Sequence, residues 1–212
     1  MLAFLLAAQI VASDPNDQVG WFTVDDVPSF LTNLGTGAWQ VPYRVDVSPE
    51  GKILDCQTEV KSPVAQLDIY TCRIIRRRAR FKPARIDGRP THGIFRSAIT
   101  FGVAVETNFA PPITPNADIQ VVVNRLPART TSPSYVRVAF IVDEGGEKSS
   151  CTGDTTANRK SAANDPALVP VACEQIMKSY KATPARVAGV PTISFQNATV
   201  GFVAAKPIRD LK

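Results

Sequence analysis

The chain has 212 residues, of which 44% are hydrophobic and 20% charged, and its mean hydropathy is −0.02. These values are typical of an ordinary soluble globular protein. The formal net charge is +5 and the pI about 9.2, which favours acidic partners over basic ones.

An apolar run, LAFLLAAQIVA, occupies residues 2–12. It is shorter than the roughly 20 residues that a helix needs to span a bilayer, and a polar stretch follows it. We therefore expect residues 1–13 to form a signal peptide that is cleaved near Ser13. The alternatives are a first core strand or a chain that begins inside a longer signal, because no basic residue precedes the run.

A β-hairpin and an amphipathic helix are predicted next. Apolar residues alternate from Val41 to Val47, a turn ends at Gly51, and a second strand begins at Ile53. The following residues have a helical period, and Pro83 ends the helix. One side of this helix is predicted to be buried and the other basic, with Leu67, Thr71, Cys72, Ile75 and Ala79 on the first and Arg73, Arg76, Arg77 and Arg80 on the second. Residues 93–103 supply a returning strand.

The same succession recurs 101 positions later. "PARIDGRP" begins at Pro83 and "PARVAGVP" at Pro184, and the same offset relates Leu67 to Leu168 and Phe101 to Phe202. A second hairpin turns at residues 143–146, a second helix runs from 165 to about 180, and residues 193–203 form the last strand. The chain is therefore interpreted as two copies of one unit. We assign 14–104 to the first repeat, 105–116 to a Pro-rich linker, 117–205 to the second repeat and 206–212 to a tail.

The two copies also share an arginine and a glycine at matching positions. We expect Gly88 and Gly189 to adopt positive φ in turns. Arg85 and Arg186 are expected to make a local hydrogen bond to those turns rather than to bind a partner.

Each unit contains a hairpin, a helix and a returning strand. The predicted fold class is therefore α+β, with two tandem small domains that each consist of an antiparallel three-stranded sheet covered by one helix.

The chain has four cysteines, two in each copy. Four cysteines allow three pairings, and one pair in each copy selects Cys56–Cys72 and Cys151–Cys173. Zinc ligation and free thiols are the competing interpretations, but neither pair has the short spacing of a zinc site. Export favours disulfides.

Residues 41–90 resemble the C-terminal domain of TonB. That family combines an alternating strand, a turn that ends in glycine, a second strand, a helix containing Leu-Asp, and an aromatic residue two positions before Pro-Ala. These features are carried here by Val45 and Val47, Gly51, Ile53, Leu67-Asp68, and Phe81 before Pro83-Ala84. Asp26-Val27-Pro28 stands where the family often has aspartate, tyrosine and proline. The resemblance covers most of 21–103 and, more loosely, 117–203.

The resemblance implies a non-catalytic periplasmic protein of the Gram-negative cell envelope. Its partners would be envelope proteins, such as TonB-dependent outer-membrane receptors, whose extended segments bind by strand addition in support of transport. The alternative hypothesis is a structural or assembly factor of the envelope that has no peptide ligand.

Two groups of residues are candidates for partner binding. The first is the strand 94–103, expected to be a sheet edge, with Ile94, Arg96, Ala98, Ile99 and Phe101. The matching strand, 193–203, is expected to bind more weakly or to act as a packing partner. The second group is the helix face with Arg73, Arg76, Arg77 and Arg80, which is either a solvated face or a patch for an acidic partner or a membrane surface.

No catalytic residues are predicted. His92 is the one histidine in the sequence and has no candidate nucleophile beside it, so a structural or surface role is expected. No metal, cofactor, small-molecule substrate or nucleic-acid site is predicted either.

Overall fold

The computed structural model describes residues 10–11, 14–15, 21–32, 37–103, 117–128, 130–154 and 165–205. Among these residues the α-helices are α1 (Ser29–Thr32), α2 (Ala65–Arg78) and α3 (Val169–Ser179). The strands are β1 (Ile10–Val11), β2 (Asp14–Pro15), β3 (Gly37–Val47), β4 (Ile53–Thr58), β5 (Phe81–Lys82), β6 (Ala84–Ile86), β7 (Arg89–Val103), β8 (Ile119–Val123), β9 (Ser134–Val142), β10 (Lys148–Gly153), β11 (Ala185–Val187), β12 (Val190–Thr192) and β13 (Ser194–Ala204).

The first half forms the predicted hairpin, helix and returning strand. β3 pairs antiparallel with β4 on one side and with β7 on the other. Between β3 and β4, Gly51 has a φ of 78° and donates its N–H to the carbonyl of Ser48. The residues predicted for the buried side of α2 are all buried. Ile75 and Ala79 pack against Val45 and Phe95 of the sheet.

The second half has the same order of elements. β9 pairs antiparallel with β10 and with β13, and Asp143 and Gly146 form a turn with the same hydrogen-bond pattern as Ser48 and Gly51. Helix α3 begins at Val169, after a turn in which the Leu168 N–H donates to the Asp165 carbonyl. Ala172 and Ile176 bury its inner side.

The sequence predicts two separate three-stranded domains, but the structure joins the two halves in one sheet. β13 pairs in parallel with β7 through Ser194–Gln196 and His92–Ile94, and in parallel with β8 farther along. One mixed sheet therefore contains nine of the described strands. The returning strands join because alternation of apolar residues specifies the faces of a strand and leaves its edges open to pairing.

The helices cover opposite faces of this sheet. Phe95 of β7 packs on the α2 side, together with Val45. The register sets Phe195 of β13 beside Gly93, so odd-numbered residues of both strands share that face. The even-numbered residues Ala198, Val200 and Phe202 pack on the α3 side. Among the described residues, apolar side chains thus pack on both faces of the sheet, beneath α2 on one and beneath α3 on the other.

The local bonds predicted at the repeated motifs are confirmed. Gly88 and Gly189 have φ angles of 76° and 84°. Arg85 donates from Nη1 to the Gly88 carbonyl at 2.7 Å, and Arg186 donates to the Gly189 carbonyl at 2.8 Å.

Both predicted disulfides are present, with Cys56 bonded to Cys72 and Cys151 to Cys173. Each ties the second strand of a hairpin to the helix of the same half. The part of the chain that the structure describes has no group of three or more His, Cys, Asp or Glu residues suited to a metal ion.

Within the segment expected to be a signal peptide, Ile10–Val11 pairs with β6, and Asp14–Pro15, just after it, pairs with β5. The linker at 105–116 and the tail at 206–212 lie outside the described residues. No helix among the residues described is both long and apolar enough to cross a membrane.

Candidate partner-binding surfaces

The strand expected to be an edge is paired on both sides over only part of its length. β7 pairs with β3 from Gly93 to Val103, and with β13 at His92–Ile94. Beyond Ile94, none of the described strands pairs with the side of β7 that faces away from β3. The matching strand β13 is an inner strand, since β9 lies on one side and β7 and β8 lie on the other. It therefore acts as a packing partner.

The backbone of Arg96 shows which residues of β7 point toward the open side. Its N–H donates to Asn197 Oδ1 at 3.1 Å, and its carbonyl accepts a hydrogen bond from Arg137. Neighbouring residues of a strand direct their backbone groups alternately to its two sides. Ala98, Thr100 and Gly102 therefore direct N–H and C=O away from β3, whereas Ile99 directs them toward it. We call Ala98–Gly102 the open edge.

The side chains proposed for partner binding on β7 have different surroundings. Ile94 and Phe101 are buried, with 1% and 4% of their surface exposed. Ala98 and Ile99 are half-buried, and Ile99 packs against the core beneath α2. The accessible feature of the open edge is therefore its backbone, with the side chain of Ala98 on the face opposite α2.

An open cleft of about 520 Å³ lies beside the open edge. Pro42, Glu59, Val60, Ala117 and Asp118 line it. Pro42 is the cross-strand neighbour of Ala98. Asp118 accepts a hydrogen bond from the Thr199 N–H at 2.7 Å, so the cleft is bounded by both halves of the chain.

Arg96 is buried between the halves and does not lie on the basic surface with the other arginines. Its Nε lies 2.6 Å from Glu59 Oε1, and its Nη1 donates to the Asn197 carbonyl at 3.2 Å. Burial disfavours its charged form, but the influence of Tyr180 and Glu59 prevails and raises the pKa of Arg96. The guanidinium therefore stays charged inside the junction.

Further polar side chains complete this junction. Arg137 Nε lies 2.9 Å from Asp154 Oδ2, which also accepts from Asn197 Nδ2 at 3.3 Å. Periodicity did not reveal these residues. The one signal was the pair Gln196-Asn197, two polar residues inside an otherwise apolar strand, because such residues in a core need partners.

The arginines predicted for the outer side of the helix are exposed, but they are not equivalent, and Arg80 lies just beyond the end of α2. Arg76 donates to Asp55 at 2.9 Å and to the Cys56 carbonyl at 3.0 Å, and Arg80 donates to the Ala79 carbonyl at 2.8 Å. The side chains of Arg73 and Arg77 make no hydrogen bond or ion pair with any residue that the structure describes. These two are free to meet a partner.

His92 lies where β7 meets β13, opposite Ser194. Its Nδ1 is buried and has no hydrogen-bond partner among the described residues. This position places the ring at the junction of the two halves.

Residues 40–103 match the family described as the Gram-negative bacterial TonB protein C-terminal. The matched segment contains β3, β4, α2 and β7, the elements that form the open edge and the basic helix face. No curated protein matches the chain, and no solved structure matches it. The resemblance noted in the sequence is therefore confirmed over this segment, and residues 40–103 belong to the TonB C-terminal family, a family of non-enzymatic domains associated with the Gram-negative envelope.

Proposed function

We propose that the protein is a non-catalytic periplasmic binding protein that takes up an extended segment of an envelope protein as an added strand on β7. The open edge carries this proposal, because Ala98, Thr100 and Gly102 direct backbone donors and acceptors to a side where no described strand pairs. An extended peptide can satisfy such groups through main-chain hydrogen bonds, and the nearby cleft can hold one of its side chains. TonB-dependent outer-membrane receptors are the partners that the family suggests.

The alternation of backbone direction along β7 supplies a sharp test. A proline at Ala98 removes an outward donor and leaves the bonds to β3 intact, whereas a proline at Ile99 removes a bond to Val41 of β3. Ala98→Val retains the N–H and serves as the matched control. Binding is measured by fluorescence anisotropy with labelled peptides from the periplasmic segments of such receptors, and folding by circular dichroism.

We expect Ala98→Pro to remain folded and to bind at least about tenfold more weakly, since one main-chain bond is lost and the ring blocks close approach. Ala98→Val should bind within about threefold of the unmodified chain, and Ile99→Pro should lose stability. A folded Ala98→Pro variant that binds as tightly as the original chain would exclude strand addition at this edge.

A second candidate function is that of a structural or assembly factor of the envelope. It is favoured by the pairing of β13 with β7, because the chain itself occupies the start of the edge that a peptide would use. Failure of every receptor-derived peptide to bind would support this second function.

A further inference from the structure

We infer that a basic surface beside α2 docks the protein on an anionic membrane. This surface, which we call the basic face, consists of the exposed side chains of Arg73, Arg77, Arg80, Lys82, Arg85 and Arg89. It continues from the outer side of α2 along β5 and β6 to the start of β7. Between Arg73 and Arg96 the sequence contains a single acidic residue, Asp87.

The fold does not require the charges of Arg73 and Arg89. The second half builds the same helix and hairpin tip with Glu174 at the position of Arg73 and with Val190 at the position of Arg89, 101 residues farther on. The side chains of Arg73, Arg77 and Arg89 make no hydrogen bond or ion pair with a described residue. The arginines of α2 that do pair with carboxylates are Arg76 and Arg78, which contact Asp55 and Asp26.

The arrangement suits a lipid surface better than an acidic protein. Protein interfaces are dominated by a few buried anchors, commonly aromatic, near their centre. On the outer side of α2 the large apolar side chain that is exposed is Ile69, at 65%, one helical turn before Arg73. Several long basic side chains with a single exposed apolar side chain on the helix match mobile phosphate groups, whose positions adapt to them, rather than fixed carboxylates.

This docking is independent of the proposed strand addition. The basic face lies on the outer side of α2 and at the tip of β6 and β7, whereas the open edge begins at Ala98. A variant of one surface therefore leaves the other intact, and the two proposals fail separately.

The test is flotation of the full chain with vesicles of 70% phosphatidylcholine and 30% phosphatidylglycerol, and with vesicles of phosphatidylcholine alone. The triple variant Arg73→Ser, Arg77→Ser and Arg89→Ser removes three charges from the basic face. Its matched control removes three exposed charges elsewhere through Arg125→Ser, Lys178→Ser and Lys181→Ser. Circular dichroism checks that both variants fold, and the peptide assay on the open edge checks that its binding is unchanged.

We expect the original chain to float with the anionic vesicles only and to be released by salt. Each arginine removed from the basic face should weaken binding about fivefold, or about a hundredfold for three, while the control changes it by less than about threefold. Equal losses in both variants would show that net charge alone is responsible and would overturn the inference. So would flotation with neutral vesicles, no binding to anionic ones, or tighter binding to soluble polyglutamate at the same concentration of charge.

Discussion

Replacement of Arg96 by methionine should destabilise the whole chain, because Arg96 joins the two halves. Only 10% of its side chain is exposed. Methionine keeps the apolar stem and removes the guanidinium, which leaves Glu59 without its ion pair and the Gln196 side-chain oxygen and Asn197 carbonyl without donors.

The magnitude follows from the burial of each group that loses its partner. Breaking a buried ion pair costs roughly 3–5 kcal/mol, and the lower end applies here because 31% of the Glu59 side chain is exposed. The buried acceptors on Gln196 and Asn197 add about 1 kcal/mol each when they are left unpaired. The expected loss in the free energy of unfolding is therefore about 5 kcal/mol, a large part of the total for one domain.

The assay is urea denaturation at neutral pH, followed by circular dichroism. Arg85→Met is the matched control, because Arg85 is exposed and bonds only locally to Gly88; we expect its effect to stay within about 0.5 kcal/mol. The original chain should unfold in one transition because both halves share one sheet. A loss below about 1 kcal/mol for Arg96→Met, or two separate transitions in the original chain, would refute this account of the junction.

Two further predictions concern single sites in the first half. Gly51 and Gly88 both have positive φ, but a methyl group on Gly51 would lie 2.3 Å from the Phe81 carbonyl oxygen, whereas one on Gly88 meets no atom within 4 Å. Gly88→Ala should cost about 1–2 kcal/mol of unfolding free energy and Gly51→Ala at least about 3 kcal/mol in urea denaturation; equal costs would contradict the role of the contact. For Asp26, the hydrogen bond from the Arg78 side chain, with those from the Thr23 N–H and hydroxyl, lowers its pKa below the ordinary value of 3.8. This carboxylate stabilises the fold above pH 3.8 and loses that contribution as the pH falls through its lowered value. The difference in the free energy of unfolding between the unmodified chain and Asp26→Asn should therefore become smaller as the pH falls from 5 to 2.5. A difference that does not change with pH would show that the Arg78 contact does not act through ionisation.

The local elements of each half follow from the sequence. Alternation predicted β3 and the turn at Gly51, and helical spacing separated buried Leu67 and Ile75 from exposed Arg73 and Arg77. Repeated spacing selected both disulfides. These features depend on residues that are close in sequence, where turn chemistry and side-chain period act directly.

The way in which the halves join was decided by the tertiary structure. Pairing of β13 with β7 depends on backbone groups at strand edges, and every residue except proline carries the same N–H and C=O there. For this reason the pattern of β7 predicted a strand but not its neighbours. Arg96 was expected to take part in partner binding on the strand 94–103, but the approach of β13 brings Asn197 against it and buries it beside Glu59. The same approach stops after Ile94, and beyond that point the outward side of Ala98–Gly102 has no partner among the described strands.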